Sequence, residues 1–209
     1  MADLNDIQSA LTTKITGSDA SGNETNFVNA DANGNLFVTN VPLDGQRVTY
    51  STSITGLVAA ATPTDIFTIS GSASKVVRIT RISISATQNT SGARDVLLIK
   101  RSAVNTGGTS TSLSGVPHDS ASPGDTVTVL AYTANPTSLG AAVGTVRSRR
   151  IQLLAANVTN PLESIIWEFG NRPSQAMVLR GTSQILAINL NAVTSSNNLF
   201  DIDIEWTEE

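Results

Sequence analysis

The clearest pattern in this chain is the strict alternation of apolar and polar residues near its C-terminal end. Every second residue of Phe200–Trp206 is aromatic or isoleucine, and the three residues between them are carboxylates. A period of two is that of a β-strand with one buried and one exposed face. The same rule predicts that Ile165, Trp167 and Phe169 point inward from a strand at Ser164–Phe169. We therefore expect both tryptophans of the chain in a hydrophobic core.

From Val48 onward the chain reads as a series of strands separated by Gly, Asn, Ser and Pro. No segment after Pro42 shows helical periodicity over three turns. The predicted strands are Val48–Ser53, Asp65–Ser70, Val76–Ser85, Asp95–Ser102, Thr126–Thr133, Thr145–Leu153, Ser164–Phe169, Met177–Arg180, Gln184–Leu190 and Phe200–Trp206. This succession predicts an all-β fold, a two-sheet antiparallel β-sandwich of the jelly-roll type.

One predicted strand changes its apolar parity. Val77 and Ile79 lie on one face, whereas Ile82 and Ile84 lie on the other. This slip predicts either a β-bulge near Thr80 or a strand that is covered on both faces.

Two predicted loops are long. They cover Ala103–Gly124, which is rich in Gly, Ser, Thr and Pro, and Ala134–Val143, which contains two glycines. Long loops in a compact domain are usually functional or make contacts in an assembly.

The N-terminal segment carries one amphipathic stripe. Leu4, Ile7 and Leu11 recur at helical spacing within Asp3–Thr13 and predict a helix of two or three turns. Such a short helix forms only where its stripe docks on something. The stripe is a candidate partner-binding site, and packing on its own domain and a frayed arm are the alternatives.

A β-hairpin is predicted further along the N-terminal segment. Asn26–Ala30 and Asn35–Thr39 flank the corner Asp31–Gly34, whose Asn-Gly pair suits a tight type I′ turn. A linker follows at Val41–Gln46. We therefore expect two parts: residues 1–45 as an N-terminal attachment arm with a hairpin, and residues 48–209 as the sandwich.

Composition narrows the function classes. Aromatic residues make up 4% of the chain against 40% hydrophobic residues, so the core must come mainly from aliphatic side chains. The net charge of −4 argues against a nucleic-acid-binding face. Cysteine is absent, which excludes disulfides and thiolate metal sites. The first residues have neither the charge nor the apolar run of a signal peptide, and no run is long enough for a membrane span, so we expect synthesis in the cytoplasm and no membrane partner.

No catalytic motif is present, and we expect the protein not to be an enzyme. The single histidine, His118, has only sequence neighbours beside it, and a triad needs groups that converge in space. We expect a solvated loop histidine there, and neither a cofactor nor a catalytic or metal site.

Two charged groups are candidates for contacts. Asp201, Asp203 and Glu205 share one face of the last strand and are expected to be solvated. The alternatives are a Ca²⁺ site completed by loop carbonyls, or ion pairs with Arg78, Arg81 or the basic cluster of a neighbouring subunit. The second charged group is this basic cluster, which consists of Arg147, Arg149 and Arg150. It is a candidate partner-binding site.

Several segments resemble virion structural proteins of tailed bacteriophages. The first is Thr16–Thr39, which reads T-G-S-D-A-S-G-N-E-T-N-F-V-N-A-D-A-N-G-N-L-F-V-T. The others are Ala61–Ser72, Val76–Ser85, Leu97–Ser102, Tyr132–Pro136, Met177–Gly181, Leu186–Asn191 and the closing I-E-W-T-E. Together they span most of residues 16–209, although each is a general β-sandwich pattern.

The resemblance implies a homotrimeric jelly-roll protein of the virion. It would decorate the capsid or form a head or collar fibre, with capsid, neck or tail proteins as further partners. No functional residue carries over from it. A host-surface or carbohydrate-binding module of a tail, with a glycan as ligand, is the alternative, and a capsule depolymerase ranks third.

Overall fold

The computed structural model describes residues 16–18, 24–27, 47–155, 163–170, 175–194 and 198–209. The chain divides into two compact units, Met1–Asp44 and Gly45–Glu209. The helix predicted at Asp3–Thr13 lies outside the described residues.

In the first unit, β1 (Thr16–Ser18) pairs antiparallel with β2 (Glu24–Phe27). Asn26 and Phe27, which begin the predicted hairpin, therefore belong to a strand whose partner lies before it in sequence. The rest of that hairpin lies outside the described residues.

In its described part, the second unit contains twelve strands and no helix. Its strands are β3 (Val48–Val58), β4 (Asp65–Ser70), β5 (Val77–Gln88), β6 (Gly92–Arg101), β7 (Thr109–Leu113), β8 (Val116–Pro117), β9 (Val129–Ala134), β10 (Ala142–Ala155), β11 (Ser164–Glu168), β12 (Met177–Leu179), β13 (Ile185–Asn189) and β14 (Leu199–Glu208). Among the described residues, no helix has the length and apolar character that a membrane crossing requires. The all-β prediction is confirmed.

The twelve strands form one mixed, strongly curled sheet. Their order is β7-β9-β4-β13-β6-β10-β5-β14-β3-β8, and β11 and β12 also pair with β5. All pairings between these strands are antiparallel except that of β10 with β5, which is parallel and consists of Leu154 opposite Thr87 and Ala155 opposite Gln88. This short contact joins two antiparallel regions, one from β7 to β10 and one from β5 to β8.

The parity change in β5 is a β-bulge at Thr80, as one of the two sequence interpretations predicts. Glu205 of β14 lies opposite Arg81, but the next residue, Trp206, lies opposite Ile79. The skipped Thr80 accepts a hydrogen bond through its carbonyl from the Phe169 N–H at 2.8 Å. The bulge brings the isoleucines on both sides of it to the same buried face.

One hydrophobic core takes side chains from both antiparallel regions. Trp206 is fully buried, and its ring stacks on that of Tyr50 with the centroids 5.8 Å apart. Every residue of β4 and β13 is buried, so these two strands are covered on both faces. The alternation predicted for Phe200–Trp206 is confirmed, and Trp167 packs partly buried against the same core.

The first predicted long loop contains two strands, so the prediction of a continuous loop over Ala103–Gly124 is wrong. β7 pairs with β9, and β8 pairs with β3 at Tyr50 and Ser51. The residues of β7 are mostly exposed threonine and serine, and such strands lack the apolar alternation that reveals a strand in sequence.

A buried ion pair holds the segments around the start of β10. Arg101 donates two hydrogen bonds of 2.8 Å to the Asp65 carboxylate and a third of 2.8 Å to the Gly140 carbonyl. Asn105 and Asn189 donate further bonds to Asp65, at 2.9 and 2.7 Å. Because removal of one charge would leave the other buried and unpaired, loss of either partner is expected to be destabilising.

Candidate functional site

The predicted basic cluster lies on β10, and the strand separates its members. Arg147 and Arg149 lie opposite Leu98 and Val96 of β6, whereas Arg150 lies opposite Asp95. Directly opposed residues of antiparallel strands share a face, and successive residues alternate. The three arginines therefore occupy both faces of β10 instead of forming one patch.

Arg150 has a partner on the neighbouring strand. Its Nε donates to Asp95 Oδ1 at 2.7 Å, and Asn191 Nδ2 donates to the other carboxylate oxygen at 3.3 Å. The hydrogen bond from Arg150, followed by that from Asn191, lowers the pKa of Asp95. The Arg150 side chain is nevertheless 73% exposed, so this pair lies in solvent and contributes little to stability.

The other two arginines contact the segment around β11. Arg149 Nη2 lies 3.6 Å from Glu163 Oε1, and the Arg149 side chain is 54% exposed. The guanidinium carbon of Arg147 lies 5.6 Å from the centre of the Phe169 ring, within cation–π distance. All three arginines thus have a partner within the chain and still present charge to solvent.

The carboxylates of β14 also have separate surroundings. Asp201 Oδ1 accepts a hydrogen bond from the Gly56 N–H at 2.8 Å, and Glu205 lies 3.3 Å from Arg81 Nη1. Asp203 is exposed. In the part of the chain that the structure describes, no group of three ligating side chains is arranged to hold a metal ion. The ion pair with Arg81, one of the alternatives to a solvated face, is present at Glu205 and lies within the chain.

An open polar groove runs along this face beside β3. Its volume is about 700 Å³. The lining residues are Ser51, Thr52, Ser53, Arg81, Ser112, Leu113, Ser114, Val116, Asp203 and Glu205. Hydroxyls and charged groups dominate this lining, which contains no aromatic side chain.

A second buried cluster of hydrogen-bonded side chains lies on the opposite face of β14, around Glu208. Glu208 accepts hydrogen bonds from the Thr126 N–H and hydroxyl, from Trp206 Nε1 and from Lys75 Nζ. Burial alone would raise the pKa of Glu208, but these hydrogen bonds, those of Thr126 foremost, hold it below its ordinary value. Burial raises the pKa of the neighbouring Asp125. This cluster joins the segment before β9 to the last strand.

The remaining predicted site residues are placed as follows. His118 is exposed, as expected for a solvated histidine, and its backbone N–H donates to the Thr49 carbonyl at 2.8 Å. Leu4, Ile7 and Leu11 lie outside the described residues. The buried pair of Asp65 and Arg101 was not predicted, because its partners are far apart in sequence and neither stands in a recognisable motif.

No family model matches this chain, and neither a curated protein nor a solved structure matches it.

Proposed function

We propose that this chain is a structural component of a tailed-phage virion without catalytic activity. It decorates the capsid, or forms a head or collar fibre, through the attachment arm of residues 1–45. The observation that carries the proposal is the resemblance of Thr16–Thr39 to phage virion proteins, in a segment that lies wholly within the first compact unit, Met1–Asp44. A separate N-terminal unit before an all-β unit suits attachment by one part and display by the other.

The finer fold that we propose for the second unit is a jelly-roll-like sandwich. Its support is the division of the sheet into two antiparallel regions that contribute to one core. We further propose that the unit assembles as a homotrimer on the particle. Free strand edges, described below, support self-association.

The test of the attachment role is incorporation into particles. Removal of residues 1–45 is expected to abolish loading onto virions while the β-type circular dichroism of the remaining chain persists. A truncated chain that folds and still loads onto particles would contradict the role of the arm.

A matched pair of full-length variants sharpens this test. Aspartate at Leu4, Ile7 and Leu11 removes the apolar stripe and is expected to prevent loading. Glutamate at Asn5 and Ser9 adds acidic charge on the polar face of the same predicted helix and is expected to load normally. Equal loading of both variants would show that the stripe does not attach the protein.

The glycan-binding alternative has less support in the site geometry. Sugar recognition commonly uses an aromatic platform beside polar groups. The groove beside β3 has hydroxyls and carboxylates but an aromatic-free lining. We therefore place the structural role first.

A further inference from the structure

One edge of β10 has no paired strand among the described residues. On one side β10 pairs with β6, but no described strand pairs with the other side of Ala142–Arg150, where Arg149 and Arg147 contact Glu163 and Phe169 beside β11. The Gln152 N–H donates at 2.8 Å to the Glu163 side chain, so it points away from β6. Because backbone direction alternates along a strand, the N–H groups of Ser148 and Arg150 also point outward.

A second open edge lies on β3. The Thr49 carbonyl accepts from the His118 N–H, so the backbone of Thr49 points away from β14. Ser51, two residues on, pairs with Val116 of β8 on the same side. The pairing of β3 with β8 stops at Ser51. The backbone of Ser53 therefore points outward with no described strand paired to it. This edge lines the polar groove.

The two edges differ in charge. Arg147, Arg149 and Arg150 project from both faces of β10, at the open edge itself. The groove beside β3 contains the exposed carboxylate Asp203 and also Glu205, which pairs with Arg81 of the same groove. Complementary charges favour pairing of unlike edges over pairing of two copies of β10, which would bring arginines together.

Each edge also has an exposed valine. Val143 on β10 is 66% exposed and Val58 on β3 is 49% exposed. An antiparallel arrangement would allow Val143 of one edge to contact Val58 of the other. Both strands have a register irregularity between the valine and the outward serine, so the two valines mark only the ends of the paired edges.

We propose that the open edge of β10 in one copy pairs antiparallel with the open edge of β3 in the next copy. The occupant of the groove beside β3 is thus a second copy of this chain. The contact is heterologous, and such contacts generate a closed ring when the rotation between copies closes. This inference names the contact surface of the proposed homotrimer and rests on that part of the proposed function.

The experiment uses the full chain and proline at the outward positions. Proline removes one N–H, and at an edge this leaves the hydrogen bonds within the sheet intact. Ser148→Pro blocks the β10 edge, and Ser53→Pro blocks the β3 edge. Ser148→Ala and Ser53→Ala are the matched controls, because they remove the hydroxyl and keep the N–H. Light scattering during size-exclusion chromatography measures the mass, and circular dichroism checks the fold.

The expected result is a trimer for the unsubstituted chain and both alanine variants, and a monomer for each proline variant. Mixing the two proline variants is expected to give a one-to-one dimer, because each variant keeps the edge that the other has lost. Pairing of β10 with β10 would give no such dimer and would overturn the inference.

Two further outcomes separate this inference from the proposed function. Proline variants that keep the trimer mass would overturn the edge pairing but leave the homotrimer and the virion role. A monomeric unsubstituted chain would overturn both the edge pairing and the homotrimer, while particle loading decides the virion role separately.

If a proline variant is misfolded, Asp203→Arg replaces it. This exposed change is expected to weaken the trimer at low salt, and an unchanged trimer would overturn the inference.

Discussion

Replacement of Trp206 by alanine is expected to be the most costly single truncation in the second unit. The side chain is fully buried and stacks on Tyr50, and its indole N–H donates to Glu208 at 3.1 Å. Truncation of a buried tryptophan costs about 3–5 kcal/mol. Loss of the donor to a buried carboxylate acts in the same direction.

Urea denaturation measures this cost. With a slope of about 2 kcal/mol per molar urea, the midpoint is expected to fall by about 1.5–2.5 M. Circular dichroism is the appropriate signal, because the substitution removes one of the two tryptophans as a fluorophore. All variants are compared at one protein concentration, since self-association shifts the midpoint by mass action.

Two further variants make the result interpretable. Trp206→Phe keeps a ring against Tyr50 and loses the indole N–H, so we expect an intermediate cost of about 1–3 kcal/mol. Ile166→Ala truncates an exposed residue of β11 and is expected to stay within about 0.5 kcal/mol of the parent. If Trp206→Ala unfolds at the midpoint of Ile166→Ala, the role assigned to the Trp206 ring is refuted.

Three other changes have defined outcomes. A methyl group at Gly115 would stand 2.5 Å from Cζ2 of Trp206, so Gly115→Ala is expected to cost about 1–3 kcal/mol in urea denaturation, against no change for Gly124→Ala, where the space is open. Because the pKa of Glu208 is lowered in the folded chain, its stabilisation is fully present above the ordinary glutamate pKa of about 4.3 and is lost as the pH falls through the lower folded value. The difference in unfolding free energy between the parent and Glu208→Gln should therefore shrink on acidification, and a difference independent of pH would contradict this assignment. Arg149→Glu is expected to weaken the trimer more at low salt than at high salt, whereas Arg149→Lys keeps it; sedimentation at two salt concentrations checks this, and equal effects at both would exclude an ion pair.

The strands with apolar alternation were predictable from sequence, and the others were not. The bulge at Thr80 was one of two predicted explanations, because a change of parity among isoleucines has few physical causes. β7 and β8 were missed because their side chains are mostly polar or exposed and their pairing depends on distant partners.

The candidate site was predictable in its residues but not in its arrangement. The sequence predicts one basic patch at Arg147, Arg149 and Arg150. Only the register with β6 shows that these side chains lie on two faces of β10. The open edges of β10 and β3 depend on where neighbouring strands end. Strand ends in space are a property of non-local pairing, which a single sequence does not reveal.

The position of β14 has a consequence for how the chain acquires its structure. β14 lies between β3 and β5, and both of those strands leave the ribosome long before it. Until β14 is synthesised, β3 and β5 both lack the strand that lies between them, and the core lacks Phe200 and Trp206. Folding of the second unit therefore cannot be completed before β14 has been synthesised, and contacts over such long sequence separations make it slow. The nascent chain must keep the edges of β3 and β5 that face β14 from aggregating until β14 arrives.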